Sequence, residues 1–366
     1  MSGNSKAELS AWRAARRILF PVLWPLSLVY GGIMLLRNKL FDIGLKKEQS
    51  FGLPVISVGN ITVGGTGKTP LTEHVIGILK DKYRVALVSR GYKRKTKGVV
   101  IAGKNSTASE IGDEPGQILL KFPEVAVAVA EKRTEGIKAL LEAKGPQVIV
   151  LDDAYQHRYV KPGLSILLID YNRPLWKDYP FPAGDLREPS SGKKRADVII
   201  VTKCPSGLTE TEKAALLKKI APEHYQSVFF TTVAYMPAVN LSGQEGELEE
   251  GAEVVAVAGI ADPNAFFRLL SEKYSPVEKI VYPDHHSFTN SDCDTITGAL
   301  KKIRSENKAI LTTEKDAVRL MDTGCLSDEV KSRIWYIPIK VAFLFGEEKK
   351  FNQLIHSYVE ENKKDS

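Results

Sequence analysis

Residues 62–69 read Thr-Val-Gly-Gly-Thr-Gly-Lys-Thr, a run suited to holding phosphate. Gly64, Gly65 and Gly67 let the backbone curl around an anion without a Cβ in the way. Lys68 can reach terminal phosphates, and the Thr69 hydroxyl can bind Mg²⁺. The run departs from the strict phosphate-loop pattern at its first position, where Thr62 replaces glycine. Upstream, VISVGN (55–60) is strand-like. Downstream, TPLTEHVIGILK (69–80) repeats apolar residues with helical period, at Leu71, Val75, Ile76 and Leu79. The loop therefore joins a strand to a helix N-terminus, where free amides and the helix dipole attract anions. A plain glycine turn at a helix start is the bland alternative.

A metal on a nucleotide needs carboxylates. VIVLDDAYQH (148–157) places Asp152 and Asp153 at the end of an apolar strand, a position from which a carboxylate holds Mg²⁺ directly or through water. A helix cap is the competing role. Three further stretches carry reactive side chains. Asp113 lies in a Gly-Asp-Glu-Pro turn, and Arg187 and Glu188 lie in FPAGDLREP (181–189). Asp284, His285 and His286 lie in VYPDHHSF (281–288). Each alone also reads as a cap, a surface turn or a solvated loop. Together they offer a base, a charge partner for it and a phosphate-binding arginine, as phosphoryl transfer requires.

Two other nucleotide-binding classes fit less well. A guanine reader needs Asn-Lys-x-Asp at a strand end; TKCP (202–205) lacks the aspartate, and TEKD (313–316) has a different arrangement. A partitioning-type ATPase switch needs a lysine just before GGTGKT, where this chain has Val63. A membrane-associated ATPase switch stays the alternative function, and a nucleotide-binding scaffold without chemistry a third.

The elements that must position these residues are short β-branched runs alternating with helical stretches. They predict an α/β fold in which a mostly parallel sheet is covered by helices. The 366 residues exceed one compact core. We place an N-terminal segment at 1–47, a phosphate-loop core at 48–226, an interdomain connection at 227–250 and a smaller C-terminal α/β domain at 251–366. Cys204, Cys293 and Cys325 are far apart, which argues against disulfides or a zinc site.

The net charge of +7 is concentrated at the N-terminus. There Lys6, Arg13, Arg16, Arg17, Arg37, Lys39, Lys46 and Lys47 stand against only Glu8 and Asp42. The rest is near neutral, which argues against a nucleic-acid partner. Between Arg17 and Arg37 runs ILFPVLWPLSLVYGGIMLL, uncharged and about as long as a bilayer core is thick. Pro21, Pro25, Gly31 and Gly32 weaken a regular helix in water. Basic residues on both flanks suit a segment lying in the membrane face among anionic headgroups. Spanning and monotopic association both stay open, a buried core helix is less favoured, and a cleaved signal peptide lacks its cleavage site.

The chain also carries SVGNITVGGTGKTP, SRGY, GDEP, LDDAYQHR, PAGDLREP, PDHHSF and TEKDAVRL in that order. From about residue 16 to about 345 it resembles the tetraacyldisaccharide 4′-kinase (lipid A 4′-kinase) family of Gram-negative bacteria, whose loop also begins with threonine. The resemblance implies transfer of the ATP γ-phosphate to the 4′-hydroxyl of a tetraacylated glucosamine disaccharide, with Mg²⁺, at the cytoplasmic face of the inner membrane. It implies a phosphate-loop NTPase-like core, a smaller C-terminal domain that closes over the nucleotide, and a membrane-associated N-terminal helix. Thr62, Val63, Gly64, Gly65, Thr66, Gly67, Lys68 and Thr69 would cradle ATP. Thr69 with Asp152 or Asp153 would hold Mg²⁺. Asp113 would take the hydroxyl proton, His285 would pair with Asp113, and Arg187 would stabilise the transferring phosphate. His286 is the lesser candidate of the two histidines. The partners implied are the lipid A disaccharide precursor and membrane lipids, with no nucleic acid and no obligate protein. An exposed aspartate titrates near ~4, so orienting the hydroxyl matters more than base strength.

Overall fold

The computed structural model describes residues 4–241, 247–260, 262–284, 286–321 and 323–363. The chain opens with one long helix, α1 (Asn4–Asp42). The larger sheet then takes β1 (Val55–Asn60), β2 (Val85–Ser89), β3 (Val100–Ile101), β4 (Ala126–Val129), β5 (Val148–Asp152), β6 (Leu164–Asp170), β7 (Val198–Thr202) and β8 (Ser227–Tyr235). A smaller sheet takes β9 (Val239–Asn240), β10 (Glu253–Ala258), β11 (Ser275–Val281), β12 (Lys308–Thr313) and β13 (Ile334–Ile337). The last strand, β14 (Ile339–Phe343), returns to the larger sheet. Its order is β14-β8-β7-β6-β1-β5-β2-β4-β3, and the smaller sheet runs β11-β10-β12-β13-β9.

Seven central strands of the larger sheet are parallel; only the edge strands β3 and β14 run antiparallel to their neighbours. The apolar runs explain this. Every residue of β1, β5, β6 and β7 is buried, as a strand covered on both faces requires. The helices of this unit are α2 (Lys68–Leu79), α3 (Ala108–Ile111), α4 (Asp113–Lys121), α5 (Arg133–Lys144) and α6 (Glu210–Ile220). Those of the smaller unit are α7 (Asn264–Lys273), α8 (Asn290–Lys302), α9 (Glu314–Met321) and α10 (Asp328–Ser332), and the chain ends on α11 (Glu348–Asn362). Leu71, Val75, Ile76 and Leu79 of α2 are fully buried against Ile56 and Val58 of β1, which sets the loop between them over the sheet edge.

Two segments lie elsewhere than the sequence suggests. Ser227–Tyr235, expected as a connection, is β8, parallel to β7. Ile339–Asn362, expected in the C-terminal domain, supplies β14 and α11 to the first unit, where Phe351, Ile355 and Val359 join its core. Strand patterns show that a segment is extended and apolar, not which sheet edge accepts it. The chain thus crosses between units twice, and Met236 N–H donates to Pro338 O where the crossings meet.

The cysteine spacing also misleads. Cys293 in the first turn of α8 and Cys325 in the turn after α9 have Cα atoms 6.3 Å apart and are joined as a disulfide, correcting the expectation of none. Distance along the chain says nothing about two elements packed on one core cluster. Cys204 is free and buried.

Helix α1 runs through Pro21 and Pro25 without interruption. Contacts to the larger unit fix it beyond the prolines. Ala183 N–H donates to Ser27 Oγ (2.8 Å), Tyr30 O–H to Arg187 O (2.8 Å), and Arg37 to Gln156 O (2.8 Å). The opposite face exposes Ile18, Val22, Leu26, Val29, Ile33 and Leu36 to more than half their area. By length and composition, Ile18–Asp42 could cross a membrane.

Candidate active site

The C-terminal ends of β1, β5, β6 and β7 deliver Asn60, Asp152, Asp170 and Thr202 to one edge of the sheet, where open α/β sheets bind ligands. The phosphate loop hangs there by its own polar atoms. Asn60 Nδ2 donates to Thr66 Oγ1 (2.8 Å), and Thr202 Oγ1 to Thr66 O (2.7 Å). Arg173 donates to Val63 O (3.0 Å), and Lys203 Nζ to Gly65 O while pairing with Asp170 at 3.0 Å. On the other side the loop pairs with the 185–187 stretch: Val63 N–H donates to Asp185 O and Arg187 N–H to Ile61 O, both at 2.8 Å. Gly64 and Gly67 have φ of 97° and 87°, conformations that a side chain would strain. Lys68 and Thr69 sit at the start of α2 and are buried.

Asp153 is where charges converge. Its backbone turns left-handed at φ 45° directly after β5. Lys68 Nζ lies 3.6 Å from Oδ1, and Arg187 Nη1 lies 3.1 Å from Oδ1 and 3.2 Å from Oδ2. Burial pushes the carboxyl up, but Lys68 and Arg187 outweigh it and hold its pKa below the ordinary value. Asp152 behaves oppositely. It is fully buried, its contacts to Thr72 and Ser89 hydroxyls are long at 3.4 Å, and Glu114 and Asp153 repel its charge. Burial first, then these acids, push it up to about 7. Lys68 and Arg133 pull against this shift without overcoming it, so Asp152 is the carboxyl whose charge a dication would support. Among the described residues no three His, Cys, Asp or Glu side chains form a complete cage. Mg²⁺ on one or two carboxylates, a hydroxyl and substrate phosphates needs none.

Asp113 is the first residue of α4, beside Glu114. Arg319 of α9 donates to its Oδ2 from Nε (3.0 Å) and Nη2 (2.7 Å), and Lys315 pairs with Glu114 at 3.3 Å. The expected partner, His285, lies outside the described residues. His286 Nε2 bonds Asp292 Oδ2 at 2.9 Å and stacks on Tyr282, so it serves the start of α8. The geometry thus brings Lys68, Asp153 and Arg187 together, with Asp152 beside them and Glu114 carrying the start of α4 toward it.

The sequence reading assigned no role to Gln156, Arg319 or Lys315. Gln156 Nε2 donates to Asn60 O (2.6 Å) and Glu188 Oε1 (3.2 Å), while Arg187 donates to Gln156 Oε1 (3.3 Å). The signal for Arg319 was available: Lys315, Asp316 and Arg319 in TEKDAVRL recur at helical spacing on one face. Glu188, read only as a loop residue, is 1% exposed.

A phosphate loop between β1 and α2, carboxylates ending the adjacent strand and a clamping arginine define a phosphate-loop phosphotransferase fold. The family model described as Tetraacyldisaccharide-1-P 4′-kinase matches residues 19–360. The chain belongs to that family. It is 45% identical to the tetraacyldisaccharide 4′-kinase of Phocaeicola vulgatus, covering 94% of this chain and 96% of the relative. It is 43% identical to that of Flavobacterium johnsoniae, covering 94% and 98%. Among solved structures it is similar to Aquifex aeolicus LpxK, described as the "apo" form in complex with ATP. That similarity has a TM-score of 0.73 and 31% identity, over 94% of this chain and 99% of that one.

Proposed function

We propose that this chain transfers the γ-phosphate of ATP to the 4′-hydroxyl of a tetraacylated glucosamine disaccharide 1-phosphate, giving the bis-phosphorylated lipid A precursor. The observation that carries the reading is the convergence of Lys68 and Arg187 on Asp153 at the mouth of the phosphate loop. Residues 62–69 cradle the phosphates with backbone amides at the start of α2. Lys68 neutralises the β and γ phosphates. Arg187 exchanges Asp153 for the transferring phosphate as charge develops there. Thr69, Asp152 and Asp153 would hold Mg²⁺, which would offset the negative charge of the phosphates. Asp113 orients the acceptor hydroxyl and takes its proton, with His285 as its partner in that step.

The acceptor's acyl chains stay in the bilayer, so the enzyme works at the surface. The outward row from Ile18 to Leu36 enters the apolar layer, and the basic flanks meet anionic headgroups and the acceptor's phosphate. Use of ATP as the donor supports the cytoplasmic face of the inner membrane as the site of reaction. The test is transfer of label from γ-labelled ATP to detergent-dispersed tetraacyldisaccharide 1-phosphate. Wild type labels the lipid and Asp113→Ala does not. Label released only as free phosphate overturns the kinase reading in favour of an ATPase switch, and near-normal turnover by Asp113→Asn removes Asp113 from its role.

A further inference from the structure

The two units meet at the candidate base. Arg319 comes from the smaller unit, and Asp113 from the larger. Both Arg319 contacts, Nε at 3.0 Å and Nη2 at 2.7 Å, end on one oxygen, Oδ2. The guanidinium is itself fixed from behind. Nη1 donates to Asp316 Oδ1 (2.8 Å) and to Gly259 O (3.1 Å). Asp316 is fully buried and accepts from Gly259 N–H (2.8 Å) and Thr313 Oγ1 (2.7 Å). The ends of β10 and β12 and the first turn of α9 thus build a rigid seat for one arginine.

We infer that Arg319 is the positioning residue for Asp113: the smaller unit seats this guanidinium so that its fork fixes the carboxylate for the acceptor hydroxyl, and Asp113 is set for transfer only while the two units are docked. The inference rests on the kinase reading of the site. A charge-assisted fork held in a buried seat loses little entropy when it binds a carboxylate. Grip on Oδ2 fixes the direction of the whole carboxyl group. Asp113 is the first residue of α4 in the larger unit, and the two Arg319 contacts anchor it to the smaller one. Arg319 touches neither ATP nor acceptor in this scheme, so it acts through Asp113.

A double-mutant cycle on the full-length, detergent-dispersed protein tests this. Wild type, Asp113→Asn, Arg319→Gln and the double variant are assayed for lipid labelling, with ATP affinity and thermal unfolding measured alongside. Arg319→Gln is expected to lower kcat on the order of 100-fold, the cost of a misplaced catalytic group, with KM for ATP within about 2-fold. The double variant is expected to be no slower than Asp113→Asn, because the arginine then has nothing left to position. Losses that multiply overturn the inference, as does an unchanged kcat. Should the glutamine variant fail to fold, Arg319→Lys, which keeps the charge without the fork, carries the same cycle. Unfolding of both variants assigns Arg319 to joining the units and also overturns it. Absence of lipid labelling by wild type is a different failure, that of the kinase reading itself.

Discussion

Glu188→Ala is expected to loosen α1 and destabilise the chain together. Both carboxylate oxygens are committed. Arg195 grips them as a fork at 2.9 Å each, Asn38 of α1 donates to Oε2 at 2.8 Å, and Gln156 donates to Oε1 at 3.2 Å. Removing the carboxylate leaves Arg195 facing no anion there and Asn38 Nδ2 without this acceptor. Breaking a buried ion pair costs ~3–5 kcal/mol. The Arg195 side chain is 23% exposed and can regain some water, so the lower end, roughly 3 kcal/mol, applies. At about 2 °C per kcal/mol for a large chain, Tm falls by about 6 °C. Glu188→Gln keeps the volume and part of the hydrogen bonding and is expected to cost about half as much. The assay is thermal unfolding in detergent, read with hydrogen exchange over residues 27–42. Exchange there should rise by at least about 10-fold, since each 1.4 kcal/mol of local opening is tenfold. A Tm change below about 1 °C would refute the energetic argument. A Tm drop with α1 still protected would refute the claim that Glu188 adds to the contacts of Ser27, Tyr30 and Arg37 in holding the helix to the site.

Deleting residues 1–36 should cut phosphorylation of membrane-embedded acceptor by about 10-fold or more while ATP affinity changes less than about 2-fold, because the outward apolar row binds no nucleotide; equal loss of both would indicate a folding role. Glu73 contacts Lys121 at 2.6 Å and Gln117 at 2.7 Å, and Lys121 also reaches Glu314 of the smaller unit at 3.4 Å. Burial first, then Glu314, push Glu73 up to about 7 against the pull of Lys121. Between the ordinary carboxylate range and about 7 the folded state therefore holds the extra proton, and the contribution of Glu73 to stability is lost as pH rises through that window. Glu73→Gln should flatten Tm against pH there, and an unaltered slope would refute the shift. Gly59 has no room for a side chain, since a Cβ would meet Tyr155 Cβ at 2.8 Å and Tyr155 N at 2.9 Å. Gly59→Ala should cost ~1–3 kcal/mol and weaken ATP binding by pushing the post-β5 loop away from β1, with calorimetry of both as the check.

The phosphate loop and its carboxylates were legible because each is a local pattern. Glycines at fixed offsets from a lysine, or two acids closing an apolar strand, occupy a few consecutive residues, and a parallel sheet places every such strand end on one edge. What stayed hidden depends on long-range placement. Arg319 and Asp113 are 206 residues apart, and Asn38 and Glu188 150 apart. Nothing in either neighbourhood announces the other. Ser227–Tyr235 reads as part of the connection and Ile339–Phe343 as part of the C-terminal domain because pairing partners are chosen by the remaining free edge of a sheet, a property of the assembled fold. Glu188 shows how the two kinds of information meet. In sequence it is the charged neighbour of Arg187 in a loop, and loops are ordinarily solvated. Helix α1 covers that loop, so a residue that would face water becomes the buried joint between the apolar helix and Gln156, which in turn contacts Arg187. The placement of helix α1 and the geometry at Asp153 are therefore linked through Glu188, Gln156 and Arg187, and substitution at Glu188 should disturb both ends of the link at once.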